Sequence, residues 1–305
     1  MIEIRSKSLR AVFNPFGARL VSLFADGADV VAGGDGIADV AVGEIYAGTT
    51  CGRIAGRITN ARFPLDGKII AVAPNMEGRH QLHGGPDNFA IRNWEAKATG
   101  DSVRFALTSA DGDQGYPGKL DVTATYALQG NVLSADFEAK TDKPTIINLT
   151  NHAYWNMAGK GSGLAQAAVI DAHSYLPLDA LKLPTGEVRL VDGTRFDFRK
   201  ERVVGEVYDH AFILNGTRGA LKRAIRLSDP ESGRAMEIFC TEGCLQFYTA
   251  EHWGPSIPGK YGPLAQYGAI ALEAQNFPDA PNHPNFPSGV LRPGETYRHR
   301  IEWRF

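Results

Sequence analysis

From Val122 to Ala139 apolar and polar side chains alternate with a period of two, interrupted once by Gln129, Gly130 and Asn131. A β-strand sends successive side chains to opposite faces, so Val122, Ala124, Tyr126 and Leu128 share one face, and Leu133, Ala135, Phe137 and Ala139 continue it on the way back. This is the pattern of a hairpin with one apolar side, which must be buried against another layer. Val103, Phe105 and Leu107 alternate in the same way with Arg104, Ala106 and Thr108. Shorter pieces recur at 10–14, 19–25, 222–227 and 236–240, separated by clusters of Gly, Pro, Asp and Asn. The best helical stretch, around Leu178 to Leu181, is shorter than two turns and is followed by Pro184 and Gly186. With 34 glycines and 17 prolines punctuating many short strands, the sequence predicts an all-β fold, a large antiparallel β-sandwich, rather than any βαβ arrangement. No repeat, linker or low-complexity tract divides it. The loop-rich stretch 276–293 carries aromatic and charged residues and reads as ordered, so residues 1–305 are expected to form a single domain.

Charge narrows the function. The 32 basic and 34 acidic residues give a formal net charge of -2, which suits neither a nucleic-acid partner nor an anionic membrane surface. Met1 to Phe13 alternates charged and apolar residues and lacks the apolar core of a secretory signal, and no apolar run is long enough to span a bilayer. A soluble, cytoplasmic protein, monomeric or a homodimer, is the expectation. Cys51, Cys240 and Cys244 are too few for a disulfide framework and read as reduced, buried thiols. Cys240 and Cys244 lack a second ligand pair at metal spacing, and the HxxH of His80 and His83 lies beside Gly84 and Gly85 without a helical frame, so no metal is expected.

Five loop-like stretches set polar residues beside aromatics: GRIAGRI (52–58), HQLHGG (80–85), NLTNHAYWN (148–156), YDHAF (208–212) and ALEAQNFPDAPNHPNFPSG (271–289). Planar polar side chains that take two hydroxyls at once, with rings that pack on C–H faces, are what a sugar site needs. These stretches, together with GTRFDFR (193–199), CLQFYTA (244–250) and the ending VLRPGETYRHRIEWRF, resemble the galactose mutarotase family and occur in its order from about Cys51 to Phe305. The resemblance implies a large antiparallel supersandwich, an open cleft for a free monosaccharide, no cofactor, and interconversion of the α and β anomers of an aldose.

Anomer exchange needs a base at the C1 hydroxyl and an acid at the ring oxygen, work that His and Glu can do near neutrality if their site tunes them. By motif, the resemblance makes His152 the proton donor to the ring oxygen and Glu273 the base. It assigns sugar binding to Arg57, His83, Tyr154, Asp209 and Gln246, with Phe277 and Trp155 as packing candidates, Trp155 having the core as its alternative. Where the family commonly has Asn, this chain has Gly56 and His80, which bears on the preferred sugar and leaves the acid and base untouched. Three other readings compete. A glycoside hydrolase needs two positioned carboxylates, with Asp209 as the second. A non-catalytic carbohydrate-binding protein would have lost its acid or base. A sugar-phosphate mutarotase needs extra cations at one end of the cleft, for which Arg53, Arg79 and Arg92 are the candidates.

Overall fold

The computed structural model describes residues 1–34 and 45–305. Two large antiparallel sheets dominate it. The nine-stranded sheet runs, in spatial order, Glu95–Thr99, Ser102–Ser109, Leu120–Gln129, Val132–Thr141, Tyr297–Arg304, Ala235–Cys240, Lys222–Ser228, Ala167–Ile170 and Arg202–Val203. The seven-stranded sheet runs Arg189–Leu190, Ala172–Leu176, Asp209–Leu214, Cys244–Tyr248, Ile270–Gln275, Tyr154–Trp155 and Val31–Ala32. Among the described residues the helical elements are 3-10 turns of three residues each. No helix there is long and apolar enough to cross a membrane.

The alternation predicted at 122–139 forms as a hairpin, with Gln129 paired to Val132 so that Gly130 and Asn131 alone make the turn. All eight apolar residues of that hairpin are buried, and they join one core cluster that also holds Phe212, Phe247, Leu272 and Trp155 of the seven-stranded sheet. That cluster is the layer between the sheets. Removing from water a side chain as large as Phe or Leu contributes about 1.5 to 3 kcal/mol, so this interface is the principal source of stability. The C-terminal strand Tyr297–Arg304 pairs with Val132–Thr141 on one side and Ala235–Cys240 on the other, placing the chain's end in the middle of the larger sheet.

Leu178 to Leu181 forms no helix. Asp179 Oδ1 instead accepts the amides of Leu181 and Leu183 at 2.8 and 3.0 Å, and Leu178 bridges Pro184. A short side chain that captures local backbone amides competes directly with helical bonding.

Candidate active site

The "loop-like" label fits only part of the five stretches: Asp209, Gln246, Glu273 and Tyr154 sit on neighbouring strands of the seven-stranded sheet. In register, Ala211, Gln246 and Glu273 form one row, and Asp209, Tyr248, Ala271 and Tyr154 form the next. Partners in register point to the same face. Period two then sorts each strand: Phe212, Leu245, Phe247, Leu272, Ala274 and Trp155 enter the core, while the site residues take the opposite face. Trp155, 0% exposed and packed on Trp303, is therefore core. Phe277 packs on Phe286 and does not line the cavity.

The facing wall comes from Arg57–Ile58, which pairs with Gln81–Leu82 and leads straight into His83. Gly84 lets this turn pass close over the 52–53 backbone: φ is +97°, and a Cβ would lie 2.1 Å from the Gly52 carbonyl oxygen. His152 occupies the link between Thr150–Asn151 and Tyr154–Trp155, with its amide donating to Thr49 O at 2.9 Å and its carbonyl accepting from Gly48 N at 2.8 Å. The asparagines of NLTNHAYWN hold the segments together. Asn148 accepts from Asn276 N and donates to Ala55 O, joining three motifs, while Asn151 donates to Gly48 O.

All seven residues singled out in the sequence line one cavity of about 480 Å³. His152 Nε2 lies 3.4 Å from Glu273 Oε1, with side chains 5% and 3% exposed. His152 Nδ1 and Glu273 Oε2 are buried without a partner. Beside them Arg57 Nη2 donates to Asp209 Oδ2 at 3.0 Å, and Gln246 Nε2 donates to Asp209 Oδ1 at 2.6 Å. His83 Nδ1 accepts from Gly56 N at 3.2 Å, which leaves the proton of a neutral ring on Nε2.

Burial sets the protonation. It pushes the Glu273 carboxyl up to about 8, with the charge of Asp209 adding to the rise and Arg57 opposing it. It holds His152 down at about 4, against the pull of its own backbone and of Asp209. His83 lies well below the ordinary histidine value through burial and the neighbouring His152 and Arg57. Burial also pushes Asp209 upward, but Arg57, Lys182 and Gln246 outweigh it and keep that carboxyl below its usual value. At neutral pH the site thus holds one fixed ion pair and a single proton on the Glu273–His152 pair.

Several lining residues had no role in the sequence reading. Tyr248 stands two residues after Gln246, and period two alone puts it on the same face. Tyr46 carries no such signal; its ring centre lies 4.5 Å from that of His83 and 6.0 Å from that of His152. Cys51 lies beneath the cavity, completely buried. Of the two departures, Gly56 lines the cavity with φ +80°. His80 does not: it is buried, accepts Asn60 N through Nδ1 at 3.1 Å, and braces the turn that carries Asn75 and Met76 to the rim. The arginines required by a sugar-phosphate reading lie elsewhere. Arg53 is spent on Ser109 and the carbonyls of Ala110 and Pro117, Arg92 on Asp87 and Asp113, and Arg79 on Asn60. Lys182 does line the cavity, paired with Glu251 at 2.7 Å.

Comparison with known proteins meets this geometry from the other direction. The family model described as aldose 1-epimerase matches residues 1–304. The chain is 35% identical to galactose mutarotase of Bos taurus over 319 residues, covering 99% of this chain and 93% of that one. It is 36% identical to aldose 1-epimerase of Escherichia coli K12 over 277 residues, covering 85% and 80%. The crystal structure of an aldose epimerase homologue from C. elegans superposes with a TM-score of 0.93 at 31% identity, covering 99% of this chain and 97% of that one.

Proposed function

Because the chain belongs to the aldose 1-epimerase family, and is thus an isomerase interconverting aldose anomers, we propose that Glu273 and His152 carry the proton transfers of that reaction. The observation that carries this is the pair itself: two titratable groups 3.4 Å apart, out of water, whose environments hold one proton between them over the neutral range. A buried polar atom without a partner costs about 1 to 3 kcal/mol. Glu273 Oε2 can be satisfied by the C1 hydroxyl of a sugar.

The step balances with one proton. Glu273 as carboxylate accepts the proton of the C1 hydroxyl while protonated His152 gives its own to the ring oxygen. The C1–O5 bond breaks, C1 becomes an aldehyde, and rotation about C1–C2 followed by the reverse transfers closes either anomer. The free site stores its proton on Glu273, so the proton first crosses to His152. Both arrangements contain the same number of protons and therefore share one pH dependence. A hydroxyl donor facing Glu273 and a ring-oxygen acceptor facing His152 favour the second arrangement. His83 donates through Nε2–H, and Arg57, Asp209 and Gln246 hold neighbouring hydroxyls with charge-assisted bonds; Tyr154 stands beside His152, ring centres 5.0 Å apart, and keeps it in place.

The natural substrate in this reading is a neutral aldose, because Lys182, the cation at the rim, already has a carboxylate partner. Exchange between pure anomers of galactose, glucose, arabinose, xylose, fucose and glucose 6-phosphate, followed by NMR in the presence of EDTA, tests it. At least one neutral sugar should exchange faster than in buffer, with no metal added. Faster exchange of the phosphate than of every neutral sugar overturns the substrate class, and no acceleration at all overturns the residue roles.

A further inference from the structure

Beneath the sugar cavity the Thr50–Cys51 strand, paired with Thr150–Asn151, brings a thiol under His83 and Glu273. One ligand atom from each of Cys51, His83 and Glu273 lies within 4.8 Å of the other two. The three residues are 0%, 6% and 2% exposed, and Glu273 Oε2 is buried without a hydrogen-bond partner. A thiolate, an imidazole and a carboxylate form the donor set of a zinc site with three protein ligands and an open fourth position. Around a tetrahedral ion such atoms stand roughly 3.5 Å apart, so occupation draws the three atoms together from within 4.8 Å. His83 and Glu273 both line the cavity, so an ion held by them borders the space proposed for the sugar.

We propose that Cys51, His83 and Glu273 form a binding site for a soft divalent cation, Zn²⁺ or Cd²⁺, whose occupation excludes the sugar and inhibits the enzyme. The ion takes the carboxylate lone pair needed at the C1 hydroxyl and turns His83 away from its hydrogen bond to Gly56. Occupation costs the His83–Gly56 hydrogen bond and requires both the Cys51 thiol and the Glu273 carboxyl to give up their protons, which makes the ion an inhibitor rather than a resident.

The inhibitory part rests on the role proposed for Glu273, and the binding part does not. Chelator-treated enzyme is titrated with ZnCl₂ and CdCl₂ while anomer exchange and the ultraviolet cadmium–thiolate absorbance are recorded, on wild type and Cys51→Ser. Inhibition of wild type should be competitive with sugar and reversed by EDTA. Cys51→Ser should keep the basal rate, lose the cadmium band, and need at least roughly 10- to 100-fold more ion for the same inhibition, because losing a direct ligand costs no less than losing an outer-shell partner. Equal inhibition of both proteins overturns the proposal, as does a cadmium band that survives in Cys51→Ser and so arises from Cys240 and Cys244. If Cys51→Ser fails to fold, displacement of the wild-type cadmium band by saturating sugar decides; a band indifferent to sugar overturns it. A Cys51-dependent band without loss of activity overturns the inhibition, while the role of Glu273 is judged apart from it by the activity of Glu273→Gln.

Discussion

Two halves of the cavity are made of the same kind of parts and behave in opposite ways. Each pairs a carboxylate with a nitrogen base: Asp209 with Arg57 at 3.0 Å, Glu273 with His152 at 3.4 Å. Asp209 has both oxygens engaged and sits below its usual value, while Glu273 has a bare oxygen and rises to about 8. Burial raises both carboxyls, and the partner decides whether that rise is cancelled. A guanidinium cannot give up its proton in a protein, so it fixes the carboxylate beside it as an anion, whereas a buried imidazole sheds its proton and leaves its carboxylate to carry one. Permanent charge suits an anchor, and negotiable charge suits the proton transfers proposed for Glu273 and His152.

The most severe way to break this contrast is to remove the negotiable half. Glu273→Gln keeps the shape and can still hydrogen-bond a hydroxyl, but it cannot accept a proton, so kcat should fall by roughly 10²- to 10⁴-fold while calorimetry still detects sugar. His152→Asn should fall comparably. The double variant should be little worse than either single one, because each step needs both groups. A single variant that keeps more than about a tenth of wild-type kcat removes that residue from the proton path.

Changing the anchor should look different. Asp209→Asn loses charge-assisted bonds to sugar hydroxyls, so KM should rise by more than in Glu273→Gln. It also removes the negative charge that raises Glu273 and leaves Arg57 unopposed, so the alkaline limb of the wild-type rate profile should move to lower pH. A collapse of kcat at unchanged KM would instead place Asp209 among the proton carriers.

In the wild type the contrast can be sharpened without mutation. kcat/KM against pH should be a bell with limbs near about 4 and about 8: below the first the pair holds two protons and no base, above the second it holds none and no acid. Limbs set by unperturbed His and Glu would contradict the burial argument.

The smallest effect is on stability. Between the ordinary carboxyl value of 4.5 and the folded value of about 8, the unfolded chain has released the Glu273 proton and the native state has kept it, so this group's stabilising contribution is lost as pH rises across that window. His152 acts with the opposite sign between about 4 and 6.5, where the unfolded chain binds a proton that the native state does not. Urea melts of wild type and Glu273→Gln at pH 5 and pH 8 should show the variant gaining ground at the higher pH, by an amount on the order of 1 to 3 kcal/mol. Parallel curves would mean that Glu273 is not buried as a neutral acid.

Much of the frame was legible beforehand because a strand's period is local. Val122 to Ala139 announces its buried face residue by residue, and the same rule, applied from Gln246, points to Tyr248. Motif matching named seven residues that line one cavity. It left Trp155 open between sugar and core and offered Phe277 to the sugar, since an aromatic ring looks the same in sequence whether it meets a sugar or the core, and it could not see that His80 braces the wall from behind.

By itself, then, the sequence determined which residues alternate and which chemical groups are available: histidines, two carboxylates, an arginine and a thiol. The tertiary structure decided what surrounds each of them. Register across three strands set Glu273 beside Gln246, the fold brought it within reach of His152 and Arg57 to Asp209, and a strand from elsewhere brought Cys51 within 4.8 Å of Glu273 and His83. Where a proton resides depends on desolvation and on charges a few ångströms away, and these are properties of the packed fold that no single segment carries.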